Sequence, residues 1–253
     1  MPWNPNTYQK FKQQRAEPFN DLLELINIRS GLKVIDLGCG TGELTAQLAD
    51  ILPNSQMIGI DSSTEMLEKA SKLTKVNLRF ELEKIEAISG LWDMIFSNAA
   101  LHWVDDHYTL IPKLMSMLNP GGQLVVQVPS NHRNRAQETI KEVAAEEPFH
   151  KAMGSWKWEF PVLPIDVYAE IIYLNGGQDI EISDKVYPHI LDNADEVYEW
   201  VSGTTIIPYI ERLPEYLHEM FKNECRMRIR AIWKKGPLIF PFRRILFSAL
   251  KRF

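Results

Sequence analysis

The sequence predicts an α/β protein built around a mostly parallel, doubly wound sheet, and two observations support this fold class. Short apolar runs alternate with segments of helical periodicity over the first half of the chain, a pattern that is typical of successive βαβ units. The 253 residues, of which 45% are hydrophobic and 24% charged, have the length and composition of one globular domain with a helical cap.

The first half of the chain supplies five predicted strands and three predicted helices. The strands are 33–37 (KVIDL), 56–60, 77–82, 92–97 and 122–128, and helical periodicity covers 42–52, 64–73 and 107–118. Between the last of these helices and the last strand, a proline and two glycines in LNPGGQ (118–123) predict a turn.

Beyond residue 130 the pattern is less regular. Helices are expected at 134–147, at 165–177, around 193–202 and at 212–232, and a loop or lid is expected at 148–164. Alternating apolar and polar residues predict a strand at 180–191, and the apolar, aromatic run at 238–253 predicts a final strand.

Charge and cysteine content narrow the function classes. A net charge of −5 argues against a general nucleic-acid-binding protein, which usually carries a basic surface. Two cysteines, Cys39 and Cys225, supply neither a disulfide framework nor a clustered metal motif. The amino-terminal segment lacks a signal-peptide core, and no run of about 18 apolar residues occurs, so we expect a cytoplasmic setting and no membrane partner.

Three glycines in VIDLGCGTGELTAQL (34–48) predict a ligand-binding turn between a strand and a helix. A dinucleotide-binding turn has its third glycine where this chain has Glu43, and that carboxylate would repel a pyrophosphate. A cofactor with a sulfonium cation and no phosphate fits better, because Asp36 precedes the turn and Gly38 and Gly40 let the backbone approach a ligand. A tight turn without a ligand is the structural alternative.

Asp61 ends the second predicted strand, nineteen residues after Gly42. An acidic residue near this offset accepts hydrogen bonds from ribose hydroxyls in nucleotide-binding α/β folds. Asp61 could instead close a strand-end turn, and Ser62 or Ser63 could cap the helix that follows.

DLGCGTG (36–42) and Asp61 resemble the class I, Rossmann-like methyltransferases, which use S-adenosylmethionine. Four longer segments resemble the trans-aconitate 2-methyltransferase family: WNPNTYQKF (3–11), SNAALHWVDDHYTLIPKLMSMLNPGG (97–122), WVSGTTIIPYIERL (200–213) and FPFRRILF (240–247). This resemblance implies a seven-stranded sheet with the last strand antiparallel, plus a helical cap. It also implies one domain over 1–253, with a helical lid (1–30), a cofactor-binding core (31–130), a cap and substrate region (131–232) and a final strand (233–253).

The resemblance further implies the cofactor contacts. Arg15, on an N-terminal helix, would pair with the methionine carboxylate of the cofactor, and Asn98 would contact the same end. Lys84 stands where the family has an adenine-binding aspartate. Glu83 or Glu86 could take its place if the turn is shifted, and backbone contacts from Ile85 are the other alternative. The predicted cofactor-binding residues are Arg15, Asp36, Gly38, Gly40, Asp61, Ser62, Ile85 and Asn98.

A small carboxylic acid, most plausibly trans-aconitate, is the implied methyl acceptor. A carboxylate is ionised at neutral pH, so no catalytic base is predicted and the protein would act by positioning its reactants. The predicted substrate-binding residues are Tyr8, His102, Trp103, His132, Trp200, Tyr209 and Arg243.

Each of these substrate contacts also has a structural interpretation. Trp200 and Tyr209 could belong to the core, and Arg243, like its neighbour Arg244, could lie at a solvated strand end. Ile207 replaces an arginine of the family, which favours acids with fewer carboxylates as competing acceptors. Another small molecule, a carrier-bound acyl carboxylate and a non-catalytic cofactor-binding module remain the alternative functions, and the sequence does not indicate an oligomeric state.

Overall fold

The computed structural model describes residues 12–130, 134–154, 156 and 158–253, with side chains from Glu17 onward. Within these residues, seven strands form one sheet in the order β3-β2-β1-β4-β5-β7-β6. The strands are β1 (Lys33–Leu37), β2 (Gln56–Asp61), β3 (Leu78–Leu82), β4 (Trp92–Asn98), β5 (Leu118–Pro129), β6 (Gly177–Leu191) and β7 (Leu238–Lys251). The first five pair in parallel and β7 pairs antiparallel with β5, so the predicted fold class is confirmed.

Helices lie between most of the parallel strands, and six more follow β5 in the described residues. In chain order they are α1 (Lys12–Glu24), α2 (Glu43–Ile51), α3 (Thr64–Ala70), α4 (His107–Ser116), α5 (Arg135–Ala144), α6 (Phe149–Met153), α7 (Ile165–Leu174), α8 (Ala194–Ser202), α9 (Ile207–Arg212) and α10 (Glu215–Ile232). Short 3-10 turns cover Ser71–Leu73, Ile85–Ala87 and Leu101–Trp103.

Residues 207–212, between two predicted helices, form α9, and two further segments differ from their predicted structure. Residues 118–122 belong to β5, where a register shift between the Trp92–Leu118 and Met94–Gln123 pairs absorbs the glycines that suggested a separate turn. The predicted loop at 148–164 contains α6, whose Phe149 is buried in an apolar cluster.

The described chain divides into two compact units. The sheet unit contains residues 16–130, 161–185 and 243–253, and the cap unit contains 12–15, 134–154, 156, 158–160 and 186–242. Residues 161–185 therefore do not belong with the rest of the region predicted as a cap. The physical reason is Tyr168 of α7, which is buried against Phe247 and forms a hydrogen bond with His107 of α4. The finer division into lid, core and cap stays a prediction.

Helix α1 lies on one face of the sheet. Phe19 contacts Phe96 of β4 edge to face, with ring centroids 6.1 Å apart. At the other end of this helix, the amide of Gln123 donates to the Leu25 carbonyl oxygen (2.7 Å) and accepts from the backbone N–H of Asn27 (3.0 Å). These contacts fix the face of the sheet on which α1 and α2 lie.

The described residues lack two kinds of feature. No helix there is long and apolar enough to cross a membrane. No group of three or more histidine, cysteine, aspartate or glutamate side chains is placed there to hold a metal ion.

Candidate functional site

The glycine turn joins the carboxyl end of β1 to α2. Gly38, Gly40 and Gly42 all have left-handed backbones, with φ of 77°, 56° and 77°. A Cβ on Gly38 would lie 2.2 Å from the Cβ of Ala100, whereas a Cβ on Gly40 would meet no atom within 4 Å. Gly38 is therefore required by packing, while the backbone at Gly40 borders open space that a ligand can approach.

Asp36 lies beneath this turn and is only 4% exposed. The hydroxyl of Thr45, on α2, donates to its carboxylate over 2.6 Å. Burial raises the pKa of Asp36 to about 7; the Thr45 hydrogen bond opposes this rise and the negative charge of Asp61 adds to it. The carboxyl group is thus poised to change charge near neutral pH, and a nearby cation would favour its ionised form.

Asp61 fixes the turn through both carboxylate oxygens. The backbone N–H of Gly40 donates to Oδ2 (2.9 Å), and that of Ser63 donates to Oδ1 (2.8 Å). The cap of α3 is Ser63, whose hydroxyl accepts from the N–H of Met66 (3.3 Å). A carboxylate has about four acceptor positions, so Asp61 can hold the turn and still accept two ribose hydroxyls.

An open depression of about 340 Å³ lies at the carboxyl ends of β2 and β3. Its lining residues are Ser62, Leu82, Glu83, Lys84 and Ala87. Ser62 follows Asp61 directly, and Ile85 lies within the adjacent 3-10 turn. The structure thus brings Ser62 and the Lys84 region together beside Asp61, where an adenine attached to the ribose would lie.

Asn98 ends β4 at the same edge of the sheet. Its Oδ1 atom is buried and accepts no hydrogen bond among the described residues. Ala99, directly after it, has a φ of 55° and donates its N–H to the carbonyl oxygen of Gln127 (2.9 Å). A left-handed alanine costs about 1–3 kcal/mol, and such strain together with a buried free acceptor is typical of binding sites.

His102 and Trp103 follow in the 3-10 turn after β4. Burial, together with the nearby positive charge of Arg244 and that of His107 when protonated, lowers the pKa of His102 to about 3, so its ring is neutral. The Trp103 ring lies 4.8 Å from that ring and is 57% exposed. Both residues remain candidates for the wall of a site, with most of the tryptophan open to solvent.

Arg243 lies on β7, and its contact with substrate stays a prediction. Its guanidinium forms an ion pair with Asp184 (3.0 Å between Nη2 and Oδ2), so its charge is already matched. Side chains alternate along β7, and the next residue, Arg244, is the buried one, with 7% exposure.

Trp200 and Tyr209 lie in the hydrophobic core of the cap unit, as their structural interpretation predicts. Trp200 stacks on His189 at 5.1 Å, and Tyr209 packs edge-on against Trp156 at 5.6 Å. Burial raises the pKa of the Tyr209 hydroxyl. Packing thus accounts for both rings, and their contact with substrate stays a prediction.

Three predicted contacts cannot be located. Tyr8 and His132 lie outside the described residues, and for Arg15 only the backbone of α1 is described. One residue was missed: Gln127 on β5 is 1% exposed, and its Nε2 donates no hydrogen bond among the described residues. Two glutamines in the otherwise apolar strand segment QLVVQV (123–128) were the available signal.

Comparisons with known proteins agree with this geometry. A family model described as "Methyltransferase domain" matches residues 28–195. A curated trans-aconitate 2-methyltransferase from Deinococcus radiodurans is 40% identical and covers 99% of both chains. Another with the same name, from Variovorax paradoxus, is 31% identical over 100% of this chain and 99% of its own.

Solved structures share the fold. The YcgJ protein of Bacillus subtilis superposes with a TM-score of 0.62 at 15% identity, covering 94% of this chain and 99% of its own. Phosphoethanolamine N-methyltransferase 2 of Haemonchus contortus, in complex with S-adenosyl-L-methionine, gives 0.58 at 16% identity over 94% of this chain and 53% of its own.

Proposed function

The chain belongs to the trans-aconitate 2-methyltransferase family, and from this we propose that it transfers the methyl group of S-adenosylmethionine to a carboxylate of trans-aconitate. The products are a methyl ester and S-adenosylhomocysteine. The observation that carries the proposal is the similarity to curated relatives over their full length, since it includes the regions before and after the widely shared cofactor motif.

The residues at the carboxyl edge of the sheet fit this cofactor. Gly40 leaves space for close approach, Asp61 has free acceptor positions for the ribose hydroxyls, and the buried Oδ1 of Asn98 is suited to an N–H of the amino-acid end. Asp36 supplies negative charge near the sulfonium or the ammonium. The depression beside Ser62 and Lys84 would receive the adenine, with Ile85 contributing backbone groups.

The reaction needs orientation more than acid–base chemistry. The cofactor supplies a methyl group that is already activated by the positive sulfur. The carboxylate acceptor is ionised at neutral pH, so the protein needs only to hold one of its oxygens in line with the methyl group and to exclude water. His102, kept neutral by burial, can border the acceptor without adding charge.

We also propose the finer expectations about the setting of the reaction. The acceptor is a free small molecule and not a nucleic acid, which the net charge of −5 favours. A cytoplasmic location, the Arg15 contact with the methionine carboxylate and the lid role of residues 1–30 belong to the same proposal.

Mass spectrometry of reactions with S-adenosylmethionine tests the proposal. Trans-aconitate is expected to gain one methyl group, and a set of mono- and dicarboxylic acids should serve as poorer acceptors. Turnover of a dicarboxylate but not of trans-aconitate would contradict the proposed acceptor. The comparison matters because Ile207 replaces an arginine of the family, which favours acids with fewer carboxylates. Absence of S-adenosylhomocysteine binding in calorimetry would contradict the cofactor.

A further inference from the structure

Strand register places three polar side chains in one row at the carboxyl edge of the sheet. Asp61 ends β2, Asn98 ends β4, and Gln127 of β5 is the direct partner of Asn98. The strand order β2-β1-β4-β5 separates Asp61 from Gln127 by three strand spacings, or about 14 Å. Since paired residues project to the same face, Gln127 continues the row that begins with the candidate ribose acceptor.

The two glutamines of β5 have opposite hydrogen-bonding states. Gln123, four residues earlier on the same face, donates through Nε2 to the Leu25 carbonyl oxygen and to the Ser248 hydroxyl, both at 2.7 Å. Gln127 is equally buried, at 1% exposure, yet its Nε2 donates no hydrogen bond among the described residues. A buried donor without an acceptor is costly, so the first glutamine has a structural role and the second is available to a ligand.

Strand register places a buried arginine diagonally across from Gln127. Arg244 of β7 pairs with Pro129, two residues beyond Gln127 on the same face, and is 7% exposed. A guanidinium and an amide N–H together favour an anion, and a carboxylate fits their planar geometry. Gln127 also lies one strand beyond Asn98, and hence beyond the positions that the cofactor would occupy between Asp61 and Asn98.

We propose that the Gln127 Nε2 donor, diagonally across from Arg244, binds a carboxylate of the methyl acceptor and so helps to determine which acids are used. This inference rests on the proposed function for the identity of the acceptor. The carboxylate bound here is not the one that is methylated. Its oxygens accept hydrogen bonds from the protein, and this makes them weaker nucleophiles. A polycarboxylate can fill this site and still present a second carboxylate to the methyl group.

Binding of trans-aconitate to the full chain saturated with S-adenosylhomocysteine tests the inference without requiring turnover. Calorimetry is performed on the wild type and on Gln127→Met, which keeps the volume but removes the donor. Loss of a hydrogen bond to a charged group should weaken trans-aconitate binding by about 10- to 100-fold. Gln127→Glu places a negatively charged acceptor against the carboxylate and should weaken trans-aconitate binding by roughly 100-fold or more. Neither variant should alter S-adenosylhomocysteine affinity by more than about twofold.

Gln123→Met is the matched control, since it removes a buried glutamine from the same strand face. It should lower the melting temperature and leave trans-aconitate affinity unchanged. The inference is overturned if the wild type does not bind trans-aconitate, if Gln127→Met binds it normally, or if that variant loses S-adenosylhomocysteine affinity instead. Methyl transfer, assayed separately, reports on the proposed function: a wild type that binds trans-aconitate through Gln127 but does not methylate it contradicts that function alone.

Discussion

The pKa of Asp36, raised to about 7 by burial, predicts a pH-dependent preference for the positively charged cofactor. Near pH 6 about one tenth of this carboxyl is ionised, and near pH 8 about nine tenths is. If the sulfonium is attracted only to the ionised form, affinity for S-adenosylmethionine rises about tenfold across this range, or about 1.4 kcal/mol. S-adenosylhomocysteine has the same amino-acid end but a neutral sulfur, so its affinity should change less.

Calorimetric titration of both compounds at pH 6, 7 and 8 measures this difference. The ratio of the two affinities cancels the titration of their shared amino group and isolates the sulfonium. Asp36→Asn retains an acceptor for Thr45 and removes the charge, so the ratio should become independent of pH. Equal pH dependence for both compounds in the wild type would place Asp36 at the ammonium instead, and an unchanged slope in Asp36→Asn would refute the reasoning.

Further predictions concern the turn and the buried titratable groups. Gly38→Ala should lower the free energy of unfolding by about 2–4 kcal/mol in urea titrations, because its Cβ would overlap Ala100. Gly40→Ala should lower it by only about 1 kcal/mol but should weaken S-adenosylhomocysteine binding. Equal losses of stability in the two variants would contradict this distinction. The pKa of Asp36 in the folded protein lies above its ordinary value of 3.8, so the stability that the protonated carboxyl contributes is lost as pH rises from 3.8 through about 7. Asp36→Asn keeps an uncharged side chain at every pH. Its free energy of unfolding at pH 8 should therefore exceed that of the ligand-free wild type by up to about 4 kcal/mol. The pKa of His102 is shifted in the opposite direction, from 6.5 to about 3, so the stability that the neutral ring contributes is lost as pH falls below 6.5. At pH 5 this loss should lower the free energy of unfolding by about 2 kcal/mol relative to pH 7. His102→Asn should abolish this difference between pH 5 and 7.

Local sequence was sufficient to predict the elements that build the cofactor site. Strands β1 to β4 are short apolar runs, and the glycines between β1 and α2 act within a few residues of one another, so no distant contact is needed to identify them. The irregular start of β5 was missed for the same reason. The proline and glycines of 118–123 favour a turn locally, and only pairing with β4 shows that they lie within a strand.

The part of the site proposed for the methyl acceptor depends on strand register and on which side chains already have hydrogen-bond partners. Neither property can be read from neighbouring residues in the sequence. Arg243 and Arg244 are equivalent in sequence until alternation along β7 directs one toward Asp184 and buries the other. Gln123 and Gln127 are likewise equivalent until the segment after α1 and Ser248 of β7 supply partners to the first and not to the second. Sequence patterns therefore identify the cofactor more readily than the acceptor. The candidate cofactor site is a local backbone motif, whereas the proposed acceptor site combines side chains from β4, β5 and β7. We therefore expect Gln127→Met to change the use of acids by this protein while the glycine turn stays the same.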